Sequence, residues 1–538
     1  MNWFFGRATR VVLLPLVLIA ATVKGLGSYT ETSDDQTLAW LFSGVLALKP
    51  VASVPLYMHG YGHLLAAAYA WDPGVPWLGL LLGFLLATAT VLVFAVLDRL
   101  LRPHLRPVPL ALVLTLFFGL AWLEHWLWFS HGRAALLLAG AGVLFAAQRP
   151  GRRGALALGL LALVAAWLVR PGLAVLGAVA VVPAALLLAG GWRRAAPVLG
   201  SAALGLLLVT GVLHWLQTPA EAAARRRDAS LTRILDYNQL QPQPHTPLDS
   251  LGTAAVGLWL LGDSSVVNER LFQQAYHFDA ARFFGQEVPA KVGLRLGLLE
   301  RDYFPVLLAL AVSGGLGLRR RERLAWFWVV QMAFANGLLV LAGLLKLPPR
   351  VELPLLDFWL LSNLAYWLGP GSEPAPGQAA SFWLGLAPRW RGAVLAGGAL
   401  VLGLYGAKTW HRQRALHFEQ RTNERDLAYV AHRRQSAIPV LAGHNDWLKS
   451  LSPFRTYNLG RGPVLLLTGW QSADASQAAL RRALSGTADQ TECLRRLART
   501  EPAAGASAWW LLTPDAARWL MRRQALGEAP NRTGPARN

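Results

Sequence analysis

Apolar runs of 15 to 25 residues recur along the whole chain, and no other feature restricts its fold as strongly. A hydrocarbon core about 30 Å thick takes about 20 helical residues to cross, and inside it every backbone polar group must pair within its own segment. Eleven such stretches lie near 11–29, 76–97, 107–123, 133–148, 154–169, 172–190, 196–216, 303–318, 324–345, 353–369 and 391–407. Composition agrees: 54% of residues are hydrophobic, 23 are tryptophan and only 15% are charged, the last roughly ten points below a soluble protein. The expectation is an α-helical polytopic membrane protein of about eleven transmembrane helices. The first stretch follows Arg7 and Arg10 and is read as an uncleaved anchor rather than a signal peptide.

The formal net charge of +21 admits a nucleic-acid binder, but cytoplasmic loops of membrane proteins also accumulate Arg and Lys, so its location decides. Alternate short loops carry Arg99, Arg102 and Arg106; Arg149, Arg152 and Arg153; Arg193 and Arg194; Arg319, Arg320, Arg321 and Arg323; and Arg389 with Arg391. The opposite loops carry Glu31, Asp34, Asp35, Asp72 and Glu124, with few cations. This pattern predicts a cytoplasmic N-terminus, a multi-pass course through a bacterial plasma membrane, and no nucleic-acid partner. An odd number of spans sends the C-terminus to the extracytoplasmic face. The expected organisation is therefore a membrane region over 1–407, with long outside loops at 30–75 and 217–302, and a small soluble α/β or α+β domain over 408–538. That tail holds a strand-like run at 463–468, and its cations suit anionic lipid headgroups. The single cysteine, Cys493, excludes an intrachain disulfide and a multi-cysteine metal site.

Chemistry is expected in the outside segments. Asp34 and Asp35 follow the first span, and Leu38, Leu41, Phe42, Val45 and Leu48 then recur at helical spacing, as in an amphipathic helix on the membrane surface. One reading makes an aspartate the cap of that helix. The other makes it a general base, or a metal ligand, for a substrate held in the bilayer. Tyr57, His59, Tyr61 and His63 form a polar aromatic cluster. The i, i+4 histidines are compatible with zinc, although Gly60 and Gly62 weaken a helix there; substrate contacts and interfacial anchoring are the alternatives. Glu124, His125, His131 and Arg133 gather at a hairpin mouth, where Glu124 is either a second acid or the partner of Arg133, and Trp122, Trp126 and Trp128 read as an aromatic belt. Arg170, in a tight outer turn, and Lys346 and Arg350, in another, either snorkel to the interface or, together with Arg133, hold a phosphate. The short apolar stretch 251–261 reads as a surface or lid helix. No nucleotide-binding fingerprint occurs in a supporting context.

This layout resembles the GT-C superfamily of integral-membrane glycosyltransferases, of the dolichyl- or undecaprenyl-phosphate mannosyl- and aminoarabinose-transferase type. The resemblance rests on Asp34-Asp35 after the first span, the following PLYMHGYGHLLAAAY, Arg170-Pro171 at an outer turn and Arg350 with Pro354 opening a late span. It implies a polyprenyl-phosphate sugar as donor and a lipid, glycan or protein as acceptor. It also implies Asp34 or Asp35 as base or metal ligand, a divalent metal being compatible, and donor-phosphate contacts from Arg170 and Arg350. The second outside loop lacks a paired acid, and the late motif reads Arg-Val-Glu where Arg-Tyr is frequent. A transporter or flippase, and a lipid-linked polymer ligase or polymerase, are the alternatives; the former would draw on mid-span Gln331, Asn336, Asp357 and Asn363.

Overall fold

Proline opens helix after helix in this chain. Pro107, Pro171, Pro219, Pro247 and Pro349 each stand in a first turn, where the missing N–H bonds nothing anyway and the ring holds φ near its helical value. The computed structural model of the protein describes residues 6–317, 324–369, 388–433, 437–460, 462–499 and 508–528, and the structure is 75% helical. The loop cations Arg319, Arg320, Arg321 and Arg323, and the side chains of Arg389 and Arg391, lie outside the described residues.

Every apolar stretch lies on helix. Among the described residues four helices are long and apolar enough to cross a membrane: Trp77–Leu101, Pro107–Leu127, Trp192–Leu216 and Leu324–Leu344. A fifth candidate is the pair Pro171–Ala180 and Val182–Ala189, bent by 45°. The others are shorter, as in His131–Ala147 and Arg153–Val169, or interrupted, as in Val288–Gly317, where Tyr303 leaves helical geometry two residues before Pro305.

His131–Ala147 is the hub. Every residue of it but Phe145 is buried, because neighbouring helices close on it through small residues. A Cβ on Gly142 would lie 2.7 Å from the carbonyl oxygen of Gly159, and one on Gly159 would lie 2.6 Å from that of Gly142. Such reciprocal contacts bring helix backbones together where apolar surroundings supply no hydrophobic drive between helices. Hydrogen bonds add to the packing. His125 Nε2 lies 2.7 Å from the Asp357 carboxylate, Gln331 donates to Asn363, and Asn363 donates to Ser313. Three of the four mid-span polar residues thus join helices to one another, while Asn336 is exposed. Trp122 and Trp126 do not form an interfacial belt: both are buried and donate to Thr90.

The segment after the first helix departs from the surface-helix expectation. Its helix spans Ser33–Phe42 with Thr32 at the N-cap position, so Asp34 and Asp35 occupy the first turn instead of the cap. Leu38, Leu41 and Phe42 are fully buried and Leu48 is exposed. The apolar face packs inside the protein because residues 440–470 cover it: Ser450 donates to the Thr30 carbonyl, Thr30 to that of Leu451, and Trp40 Nε1 to that of Tyr457.

The expected boundary at 407/408 falls within one helix, Pro388–Arg433. Beyond it Ile438–Ala442 forms the centre of a three-stranded parallel sheet, flanked by Leu465–Leu466 and Ala508–Leu512. The helices Ala475–Ser485, Gln490–Arg499 and Pro514–Glu528 accompany it. This sheet shares one apolar core with the long loop: Leu251, Val256, Leu260, Leu261 and Leu271 pack with Val440, Leu465, Leu480, Leu494 and Trp519. The stretch 251–261 is therefore no membrane-surface or lid helix. Its apolar side faces the sheet, Trp519 donates to the Leu251 carbonyl, and buried Asp263 accepts from Thr491 and Arg523.

Gly142→Leu is expected to destabilise the fold at the upper end of the about 1–3 kcal/mol typical of overpacking, because backbone faces the new side chain. Gly200→Ala, where a Cβ meets nothing within 4 Å, serves as control. Thermal unfolding in detergent, followed by tryptophan fluorescence, should lower the midpoint for the first variant only.

Candidate functional site

The hub helix presents its N-terminus to the turns that carry Arg170 and Arg350, and an N-terminus carries unpaired N–H groups and a partial positive charge. Ser130 caps it by accepting from the Arg133 N–H. The first N–H, that of His131, is taken by a side chain remote in sequence: Asp35 Oδ1 accepts it at 2.9 Å and also accepts from His131 Nδ1 at 2.9 Å. Asp35 therefore caps a helix, but the hub helix and not its own.

The far edge of the same imidazole meets Arg170, whose NH1 lies 3.1 Å from His131 Nε2. An arginine only donates, so Nε2 is the acceptor and the ring carries its proton at Nδ1, facing Asp35. Arg170 also lies over the Tyr57 ring, 4.7 Å from its centre. Tyr57 packs edge-on against His131 and Trp470, and Trp470 Nε1 donates to Asp34 Oδ1 at 3.0 Å. Asp228, from the helix Pro219–Leu231, completes the group; burial pushes its carboxyl up against the pull of Arg170. Burial likewise raises the Tyr57 phenol.

Arg350 reaches this N-terminus from the other side. A Cβ on Gly132 would sit 3.4 Å from its Cδ. The Arg350 N–H donates to Glu31 Oε1 at 3.1 Å and its NH1 lies 3.7 Å from the same oxygen. The other oxygen, Glu31 Oε2, accepts from Arg133 NH2 at 3.0 Å. Asp34, Asp35, Tyr57, His131, Arg170 and Arg350 are thus brought together, from three helix starts and two connecting segments, around one helix end.

The remaining expected residues stand elsewhere or do other work. Arg133 is wholly buried and its guanidinium is committed to Glu31 and the Glu124 carbonyl, so it is no phosphate ligand. The Glu124 carboxylate is held by Lys408 and Arg412, with Tyr405 donating as well; it is neither a second acid at the site nor the side-chain partner of Arg133. Lys346 pairs with Asp236 at 2.5 Å, away from Arg350. His59 and His63 do not share a helical face: the helix begins at Tyr61, after Met58 and Gly60 at positive φ. His63 is exposed, while His59 packs against Trp167 and Tyr61 donates to the Ala165 carbonyl. No group of three His, Cys, Asp or Glu among the described residues is placed to hold a metal ion.

Sequence reading missed Glu31, Asp228 and Trp470 as members of the site. Glu31 carried a signal, standing beside Asp34 in the first acidic loop. Trp470 lies more than 400 residues from Asp34, and nothing local marks it. Comparison with known proteins leaves the site to its own chemistry: no family model, no curated protein and no solved structure matches the chain.

Glu31→Gln should cost about 3–5 kcal/mol of stability, because it leaves the Arg133 charge buried without its partner. Glu31→Gln with Arg133→Met should recover most of that loss in denaturant unfolding. A second expectation concerns acid. Burial, aided by Arg225, lowers the His59 imidazole to about 4 from 6.5. The unfolded chain binds this proton first as pH falls through that window, so stability declines there and the cost vanishes above it. His59→Gln should shrink the drop in unfolding midpoint between about pH 7 and about pH 4.5.

Proposed function

We propose that this protein is a GT-C-like membrane glycosyltransferase that moves a sugar from a polyprenyl-phosphate donor to an acceptor on the outer face of the membrane. In this reading all eleven apolar stretches cross the bilayer, the N-terminus is cytoplasmic, and the sheet after residue 433 lies outside together with the loop 217–302. The observation that carries the proposal is the chain Asp35–His131–Arg170, with Arg350 on the adjoining residue of the same helix end.

The chemistry follows from the charges. Arg170, Arg350 and the positive end of the hub helix form an anion cradle of the kind that phosphate groups occupy. Gly132 offers the cradle a backbone N–H with no acceptor among the described residues, and its lack of a side chain leaves room for Leu173 and Arg350 to close in. Asp35 sits across His131 from these cations. An acceptor hydroxyl gives its proton to the Asp35 carboxylate as its oxygen bonds the anomeric carbon. The bond from that carbon to the phosphate oxygen breaks, and the phosphate keeps the electron pair against the two guanidinium groups. His131 fixes the distance between base and leaving group by holding Asp35 at one nitrogen and Arg170 at the other. Asp34, held by Trp470, tunes the field at Arg170. Side chains that hold Gln331, Asp357 and Asn363 to neighbouring helices leave those residues to structure, which favours this reading over a transporter.

The test is release of polyprenyl phosphate from synthetic polyprenyl-phosphate hexoses and aminopentoses by the full chain in lipid nanodiscs. Asp35→Asn should slow turnover at least about 100-fold, and Arg170→Met about 100- to 1,000-fold. Asp34→Asn should have the smaller effect. Unchanged turnover in both aspartate variants would remove the base from the mechanism.

A further inference from the structure

Asp35 has a second side. Opposite His131 it forms part of the wall of a cavity of about 290 Å³ lying between the helix Ser33–Phe42, the start of Trp77–Leu101 and residues 453–460. Neither Arg170 nor Arg350 reaches this space. One carboxylate therefore separates the cation cradle from a pocket.

The pocket walls are fixed by hydrogen bonds. Trp40 Nε1 donates to the Tyr457 carbonyl at 2.7 Å, the Tyr457 hydroxyl is held by Glu424 at 3.0 Å, and Thr456 donates to the Gly74 carbonyl at 2.8 Å. Against this background Gln36 stands out. It is 6% exposed, it lines the cavity, and its carboxamide has no hydrogen-bond partner among the described residues. The amide is not sealed inside the protein but accessible on the cavity wall, where an occupant with hydroxyl groups donates to its oxygen and accepts from its nitrogen. Tyr69 adds a phenol, and Trp40 and Tyr457 add ring surface.

Charge narrows the class further. Among the described residues the ionisable groups on the wall are Asp35, the Tyr69 and Tyr457 phenols and Arg455, and the Arg455 side chain is largely exposed and 3.4 Å from Glu424. None of these groups favours an anion, and the volume lies near the lower end for ligand pockets, the scale of one sugar ring. We infer that this cavity is the acceptor subsite and that it holds a neutral saccharide unit, with Gln36 reading its hydroxyl groups and Asp35 facing the hydroxyl that attacks. The inference rests on the glycosyl-transfer reading for the role of Asp35, but occupancy of the pocket can be measured without turnover.

The probes are methyl α-glucopyranoside, methyl α-mannopyranoside and methyl α-galactopyranoside, titrated by calorimetry into the full chain in nanodiscs. At least one should bind saturably. Gln36→Leu, which keeps the bulk and removes the amide, should weaken that binding about tenfold or more without moving the unfolding midpoint. Ala39→Trp, which fills the cavity, should abolish it. Glucose 6-phosphate should bind no more tightly than the glucoside. Absence of saturable binding, unchanged binding in Gln36→Leu, or a clear preference for the phosphorylated sugar would each overturn the inference. Release of polyprenyl phosphate to water, measured without any saccharide, judges the glycosyl-transfer reading separately: turnover there with no saccharide binding sinks the subsite alone.

Discussion

The Arg133 guanidinium has no exposed surface, and the arrangement of the chain around the hub's N-terminus follows from that fact. A buried charge persists only where an opposite charge and hydrogen bonds meet it. Glu31 is that opposite charge, and reaching it fixes the path of the chain after the first helix. Because Glu31 has two oxygens, it binds Arg133 with one and Arg350 with the other. The same pairing thereby seats the helix Pro349–Leu368 against the hub. Arg133 also donates to the Glu124 carbonyl, and the Glu124 carboxylate gathers Lys408 and Arg412, the latter also 2.9 Å from Asp302. A run of charges, linked at one point through the Glu124 carbonyl, thus connects the first loop, the hub and three later helices.

That network explains why so few cations remain at the site. Of the four expected at the outer boundary, Arg133 and Lys346 are used in pairing. Arg350 is shared with Glu31, and Arg170 lies over the Tyr57 ring and against His131 Nε2, within the field of Asp34 and Asp228. Arg170 is thus the cation whose charge is least neutralised by a direct carboxylate contact. Position in the sequence could not separate these fates, since all four residues look alike as arginines or lysines beside an apolar run.

Much of the fold was legible because apolar periodicity and helix-opening prolines are local signals. All eleven expected stretches lie on helix, and the strand-like run at 463–468 contains the strand Leu465–Leu466. The pairing of Asp34, Asp35, His131, Arg170 and Arg350 was legible only as a shared outer position, not as contacts. What escaped was choice among partners. Glu124 had Arg133 nearby in sequence, yet its carboxylate bonds residues more than 280 positions away. The stretch 251–261 looked like a surface helix because its apolar side had no local counterpart; its counterpart is the sheet formed from residues 438–512. Side-chain partners separated by hundreds of residues leave no spacing pattern to read.

That divided core also sets a timetable for the ribosome. The loop residues up to Tyr276 are made about 160 residues before Val440, an interval of roughly 8–30 s at about 5–20 residues per second. During it Leu251, Val256, Leu260 and Leu271 have no sheet to pack against, while the helices from Val288 to Arg433 are still being made. The newborn loop is an unsheltered apolar segment until the last fifth of the protein arrives. A chain cut short after Arg433 leaves those loop residues without the sheet they pack against.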